Sequence, residues 1–297
     1  MTMERKKACL IWNPVAGNRK KNERDIHLIA DFLTHQGYEL LKKATEGPLT
    51  AGPIAKEVIA TGIDQIFAVG GDGTINEVIN GMNNTHAQLG IIPIGTANLL
   101  AREIHMPLNL KKALEALKTA EVRQVTLGKA NDRYFILMAG IGFDGHVISK
   151  LRTHHKARFG KLAFVYEAMK QSFLYDYPYF KIKINNREIA STFAIIALSR
   201  EYGSVFSLTP DAHIFREQFQ LCIYKSHGAF AYWKYFFSAL LKSHHLLKNV
   251  ELDFADTIEI YSDKEIWSQI DGELFCKLPV KIQILPQALK LLIPKHH

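Results

Sequence analysis

The sequence predicts an α/β protein in two parts: a doubly wound parallel sheet over residues 1–128, then an antiparallel β-sandwich over 129–297. Three observations predict it. Strand-like and helix-like segments alternate through the first part. Every glycine-rich turn found there falls at the carboxyl end of a predicted strand, where doubly wound sheets bind ligands. Beyond residue 128 the alternation gives way to short strand-like runs, interrupted by two helical stretches.

The first part opens with a strand at 8–12 and a helix at 25–35, whose Ile26, Ile29, Ala30 and Leu33 share one face. A strand at 38–42, a helix at 52–61 and an apolar strand at 65–69 follow. The next helix begins near Thr74, because Ile75, Val78, Ile79 and Met82 recur at helical spacing. A strand at 89–92 and a helix at 110–117 complete this part. Afterwards strands are expected at 134–139, 179–185, 189–198, 219–225, 257–261, 265–270, 280–285 and 289–293. Helices are expected at 161–174 and 229–243, and a hairpin turn at Asn185-Asn186.

At 297 residues, with 47% apolar and 22% charged residues, the chain has the composition of an ordinary globular protein with ample core. No apolar run is long enough to span a bilayer and the first residues lack a signal-peptide core, so a cytoplasmic protein is expected. Cys9, Cys222 and Cys276 lie far apart in apolar segments and read as buried free thiols. The net charge of +8 favours anionic partners such as nucleotides or an acidic membrane surface. The basic residues are scattered without an aromatic ladder, so nucleic acid is not an expected partner. The pairs His154-His155 and His244-His245 have no partners at metal spacing and read as surface residues, and His296-His297 as a tail.

Four separated motifs carry the chemistry. The first is Asn13, Pro14, Val15, Ala16 and Gly17 after the first strand, a tight turn that offers backbone amides to phosphate or, more plainly, a capped turn. The second is Gly70, Gly71, Asp72, Gly73 and Thr74, a strand that breaks at glycines and restarts as a helix, with Asn76 in its first turn. Such a helix start aims free N–H groups and a positive dipole end at a phosphate, and the three glycines allow positive φ and a close approach of ligand to backbone. Asp72 would repel phosphates by itself. It makes sense as holder of a divalent cation, or else as a helix cap. The third motif is the run Pro93 to Arg102, containing Thr96, Asn98 and Arg102. The fourth is Asp271-Gly272-Glu273, whose plainer reading is a hairpin turn with Glu273 a solvated neighbour.

Together, in this order and at these spacings, the motifs resemble the diacylglycerol kinase, sphingosine kinase and bacterial lipid kinase superfamily over nearly the whole chain. The stretch Gly140-Ile-Gly-Phe-Asp-Gly145 is also similar to that family. The resemblance implies an NAD-kinase/diacylglycerol-kinase-like fold, with a nucleotide-binding first domain and a lipid-substrate second domain. It implies a kinase that transfers the γ-phosphate of ATP to a hydroxyl of diacylglycerol or a related lipid, with Mg²⁺. ATP would lie between the domains, its phosphates against the first two turns, with Thr45 and Thr96 as further nucleotide contacts. Asp72 would organise Mg²⁺, Glu273 would be the general base, and Arg102, Lys156 and Arg158 are candidates for phosphate neutralisation. Expected partners are the lipid substrate and, transiently, an anionic membrane surface. The expected location is cytoplasmic and peripheral at the inner membrane surface, with a homodimer among the open assemblies.

Two departures from the family stand out. Arg216 occupies the place of an aspartate that helps bind a structural Mg²⁺ in the β domain, so that metal is expected to be missing. Asn18 stands where a phosphate-binding lysine is common. They keep open a catalytically weak lipid- or nucleotide-binding regulator, while the shared glycine turn alone keeps open an NAD-kinase-like activity. The aromatic-rich stretch 229–241 reads first as core and second as a membrane contact, and Phe143, Phe164, Tyr166 and Phe206 likewise as core before acyl-chain contacts. No pattern names the lipid.

Overall fold

The computed structural model describes residues 6–15, 19–83, 85–153, 160–202 and 206–295, without side-chain description at 19–22, 152–153, 160–165 and 206. The chain divides into two compact units, Met1–Val125 with Gln287–His297, and Thr126–Pro286.

The first unit runs β1 (Lys6–Trp12), α1 (Arg19–His35), β2 (Tyr38–Ala44), α2 (Ala51–Ala60), β3 (Gln65–Gly70), α3 (Asp72–Gly81), β4 (Gln88–Pro93), α4 (Leu99–Glu103) and α5 (Leu110–Lys118). Its strands are all parallel, in the order β2-β1-β3-β4, and the C-terminal Lys290 and Leu291 pair in parallel with Gln88 and Leu89. A parallel strand covered on both faces must be apolar throughout, and every residue of β3 is buried. The predicted face of α1 packs as a unit: Ile26, Ile29, Ala30 and Leu33 cluster with Ala8, Leu10, Phe67 and Val69. The helix itself starts at Arg19, earlier than the periodicity indicates, because its first turns are polar.

The second unit is entered through β5 (Glu121–Ala130) and β6 (Arg133–Phe135). It continues with β7 (Met138–Gly142), α6 (Phe143–Thr153), α7 (Gly160–Leu174), β8 (Phe180–Ile184), β9 (Arg187–Ser191), β10 (Phe193–Ala197), β11 (Glu201–Tyr202) and β12 (Phe206–Ser207). Then come β13 (Phe219–Tyr224), α8 (Ala229–Leu240), β14 (Val250–Ala255), β15 (Thr257–Tyr261), β16 (Trp267–Ile270), β17 (Glu273–Lys277) and β18 (Val280–Ile293). One antiparallel sheet has the order β14-β13-β10-β7-β16-β17. In the other, β18, β15, β8 and β9 pair antiparallel in that order, and β5 joins β18 to β6. Asn185 and Asn186 both take positive φ between β8 and β9, as a two-residue hairpin turn requires.

Several expected strands divide or merge. The run 189–198 is two strands, because the chain turns at Thr192, whose amide bonds Tyr224 O at 3.0 Å. The run 134–139 likewise divides into β6 and β7, whereas 280–285 and 289–293 are one strand of 14 residues. Cys9 and Cys222 are buried, and burial pushes their thiols up to about 11 and about 12, so both stay protonated and inert. Cys276 is only partly buried, correcting the expectation of three core thiols.

Candidate active site

Register aligns the carboxyl ends of the first unit's strands. Trp12 pairs with Ala44 on one side and Val69 on the other, and Gly70 pairs with Pro93. Thr45, Asn13, Gly71 and Ile94 therefore leave the sheet along one edge, tied by Thr45 N to Trp12 O at 2.8 Å, Asn13 N to Val69 O at 3.3 Å and Ile94 N to Gly70 O at 3.1 Å. β2 and β3 lie on opposite sides of β1, so the topological switch point falls beside Asn13 and Gly71. Doubly wound sheets open a ligand crevice there.

Asn13 does two things at this edge. Its Oδ1 accepts from Val15 N at 3.0 Å, closing the turn, and its Nδ2 reaches Thr74 Oγ1 at 3.5 Å. Pro14 is half-buried and Val15 exposed, while Ala16, Gly17 and Asn18 lie outside the described residues.

α3 begins at Asp72, two residues before the expected start, with Gly71 extended at φ −96° and ψ −175°. None of Gly70, Gly71 and Gly73 takes positive φ, so the conformational reason for them does not apply. Space accounts for Gly70, where a Cβ would lie 2.7 Å from Thr74 Cβ, and for Gly95. A Cβ on Gly95 would lie 2.5 Å from Gly71 Cα, so the second and third motifs touch backbone to backbone. The N-terminus of α3 has no side-chain cap, and its first-turn amides keep their positive end turned to this edge.

Two carboxylates of α3 serve neighbouring helices. Asp72 Oδ1 accepts from Leu99 N at 2.6 Å and from Leu100 N at 3.4 Å, capping α4. Burial raises the Asp72 pKa, and the amides of Leu99, Leu100 and Asn98 partly offset this. Glu77, which local pattern did not single out, accepts from Leu49 N at 2.8 Å and Ala51 N at 3.0 Å at the start of α2. Asp72 therefore does not cap the helix it begins, as the helix-cap reading expected, but caps α4, and any work on a cation comes in addition to that.

Asn98 belongs to the third motif, but the sequence reading gave it no role of its own. It sits at φ 49°, its Nδ2 donates to Gly95 O at 2.8 Å, and its buried Oδ1 has no hydrogen-bond partner. A strained, buried acceptor at a ligand edge is suited to receive a donor from a bound molecule. Thr45 and Thr74 are buried on this edge, whereas Thr96 is exposed. Asn76 is buried and its Oδ1 accepts from Asn80 Nδ2 at 3.1 Å, which turns it along its own helix. Arg102 is exposed, with Nε on Ala97 O at 3.1 Å. Lys156 and Arg158 lie outside the described residues.

In the second unit, Asp271 and Gly272 take φ 48° and 84° between the paired Ile270 and Glu273, forming the turn of the β16–β17 hairpin. Asp271 anchors that turn by accepting from the amides of Ile136, Leu137 and Met138 at 3.0, 2.9 and 3.0 Å. Glu273 follows it and is ion-paired with Arg133, both side chains being partly exposed. Gln269 donates to Asp144 Oδ2 at 2.7 Å while its Oε1 accepts from Gly272 N at 2.8 Å. Asp144 thereby connects to the same turn, and Tyr202 OH donates to its other oxygen at 2.5 Å. Burial pushes the Asp144 carboxyl up to about 6, against the pull of the Tyr202 and Gln269 hydrogen bonds. A Cβ on Gly140 would lie 2.1 Å from Asp144 Oδ2, which gives that glycine its role.

Elsewhere the described residues differ from expectation in particulars. His244 is buried, with Nε2 3.0 Å from Leu208 O, rather than at the surface, while His245 is exposed. The Arg216 guanidinium lies 4.6 Å from the centre of the Phe254 ring. Asp211 exchanges bonds of 2.8 and 3.1 Å with Gln220. A stacked cation and an amide-bound carboxylate make a poor donor set for Mg²⁺. Phe143 packs among Tyr175, Tyr177 and Tyr232 as core, Tyr166 is exposed, and the Phe164 and Phe206 side chains lie outside the description.

A parallel α/β sheet with glycine turns at its switch point, followed by an antiparallel β-sandwich, defines a two-part α/β class of protein. Residues 7–130 match the diacylglycerol kinase catalytic domain, and residues 138–293 match the YegS C-terminal NAD kinase beta sandwich-like domain. The chain is 29% identical to a diacylglycerol kinase of Staphylococcus haemolyticus, covering 98% of this chain and 89% of that protein. It is 27% identical to a diacylglycerol kinase of Bacillus subtilis, covering 98% and 97%. A crystal structure of a diacylglycerol kinase from Bacillus anthracis superposes with a TM-score of 0.77 over 97% of both chains at 23% identity, a likeness of fold. The chain is also 30% identical to a putative lipid kinase of Streptococcus pneumoniae, covering 96% of this chain and 97% of that protein, and it belongs to the lipid kinase family that joins a diacylglycerol kinase catalytic domain to this β-sandwich-like domain.

Proposed function

We propose that the chain is an ATP- and Mg²⁺-dependent lipid kinase that phosphorylates a hydroxyl of diacylglycerol or a close relative. The observation that carries this reading is the meeting of the Asn13, Gly71–Thr74 and Gly95–Asn98 turns on one sheet edge, within a chain of this family. The α3 amides and Thr74 hold phosphates, and Asn98 Oδ1 accepts from a nucleotide donor. Bound Mg²⁺ supplies charge neutralisation at the phosphates. Among the described residues no cluster of three or more acidic, histidine or cysteine ligands exists, so Asp72 would hold the ion in company with nucleotide oxygens and water.

In the second unit Glu273 takes the proton of the lipid hydroxyl, with Arg133 fixing its position. Asp144 belongs to the same reading: a buried carboxyl with a pKa of about 6, coupled through Gln269 to the turn that carries Glu273, steadies that turn and its charge. The lipid lives in a bilayer, so the enzyme works at a membrane surface, and its net charge of +8 supports an anionic, cytoplasm-facing one. Among the described residues no helix is long and apolar enough to cross a membrane.

The test is incubation with labelled ATP, Mg²⁺ and a total lipid extract, followed by identification of the labelled product. A phosphorylated glycerolipid is expected. Nucleotide binding without any labelled lipid would favour a regulator, and labelled NADP in a parallel incubation with NAD in place of lipid would favour a soluble-nucleotide kinase.

A further inference from the structure

α8 carries two apolar faces. Tyr232, Tyr235 and Ala239 are buried in the core of the second unit. Phe230, Phe237 and Leu241, at helical spacing on the other side, are 87%, 54% and 76% exposed. A helix on the surface of a globular protein normally turns polar residues outward, whereas this second face turns apolar ones to water. The face does not stop at α8. Trp233 lies 5.9 Å from the Phe237 ring and 6.3 Å from Phe173, which is exposed with Leu174 at the end of α7. Leu240 on the same helix and Leu246 in the turn after it are exposed as well. Contiguous exposed aromatics of this extent mark an interaction surface.

The charge around it names the partner. From Ser226 to Val250 the sequence contains no acidic residue, while Lys234, Lys242 and Lys248 are exposed. Lys234 falls on the same stripe as Phe230, Phe237 and Leu241, where its stem can lie along apolar surface with the ammonium at headgroup level. Lys170 on α7 is exposed as well, and Asp176 is the acidic residue that follows that helix. A second copy of the chain seated on this stripe would bring lysines against lysines, whereas an anionic bilayer satisfies both the apolar face and the charge.

We infer that the outer face of α8, with the end of α7, seats the protein on an anionic phospholipid bilayer. This rests on the reading of the substrate as a membrane lipid and names the surface that meets the membrane. Vesicle flotation tests it, using the full chain with phosphatidylcholine vesicles with and without phosphatidylglycerol. The wild type is expected to float with the anionic vesicles. A Phe230→Ser/Phe237→Ser/Leu241→Ser variant should lose about tenfold or more in partitioning, and Lys234→Glu/Lys242→Glu should lose its preference for anionic vesicles. Both should keep wild-type circular dichroism, thermal midpoint and kinase activity on detergent-dispersed diacylglycerol, because the altered side chains are exposed.

Wild-type flotation by the serine variant would overturn the inference. So would equal flotation of the wild type with neutral vesicles, or a dimer in sedimentation that the serine variant dissolves. If the wild type floats but phosphorylates no dispersed lipid, the kinase reading fails while the docking surface stands.

Discussion

Asp72 offers the sharpest separation of structural from catalytic work, because one carboxylate is assigned both. Replacing it with alanine strands the amides of Leu99 and Leu100, which it accepts at 2.6 and 3.4 Å. Hydrogen bonds to a charged acceptor contribute about 1.5–3 kcal/mol each, and the second bond here is long, so Asp72→Ala should cost about 2–4 kcal/mol. Asp72→Asn keeps an oxygen in the capping position and removes the charge. Asparagine and aspartate cap helices about equally, so that variant should lose about 1 kcal/mol or less. Urea unfolding measures both. Phosphoryl transfer should nevertheless fall by about a hundredfold or more in Asp72→Asn, since a neutral amide is a poor holder of Mg²⁺ beside phosphates. Full activity in a stable Asp72→Asn would refute the cation role and leave the residue a helix cap. Equal instability of the two variants would refute the capping argument.

Other outcomes follow from the same geometry. The folded protein holds the Asp144 proton more tightly than the unfolded chain, with a pKa raised from 3.8 to about 6. The stability it contributes is therefore complete below pH 3.8 and lost as pH rises through about 6, a change of about 3 kcal/mol. In denaturant melts across that window, the difference between wild type and Asp144→Asn should show this slope; a flat difference would contradict it. Gly95→Ala forces a Cβ to 2.5 Å from Gly71 Cα, and should destabilise by about 1–3 kcal/mol and weaken nucleotide binding measured by calorimetry. Arg133→Met should lower kcat with little change in thermal midpoint, because the partly exposed pair with Glu273 contributes about 1 kcal/mol or less to stability. Without nucleotide, the thermal midpoint should be the same in Mg²⁺ and in chelator, Arg216 being stacked on Phe254; a clear rise with Mg²⁺ would mean a structural metal site exists.

The parallel sheet was legible because its physics is local. β3 is a continuous apolar run and is buried throughout, and the apolar stripe of α1 recurs at helical spacing. β5 escaped notice because its first four residues are exposed and its last buried, which gives neither alternation nor a continuous run. α6 carries Gly145 in its first turns and a mixed surface, and β14 hides its alternate Val250, Leu252 and Phe254 between acidic residues. The glycine turns were legible as places, but their cause was not. Contact between Gly71 and Gly95, far apart in sequence, rather than positive φ, is what excludes a side chain. The same holds for Glu77, Arg133 and Asp144. Their roles lie in partners brought by folding, and no local pattern encodes a partner more than a hundred residues away, as Arg133 is from Glu273. α8 was legible as an aromatic helix, but its composition could not divide the rings between core and surface; the structure gives each a face.

The most direct measurement of the central claim is transfer of label from γ-labelled ATP to dispersed diacylglycerol by the wild type and by Glu273→Gln. The account predicts a labelled lipid from the wild type and a rate lower by about a hundredfold or more in the variant, with unchanged nucleotide binding. Equal rates in the two proteins would contradict the assignment of the base, and no labelled lipid from the wild type would contradict the kinase itself.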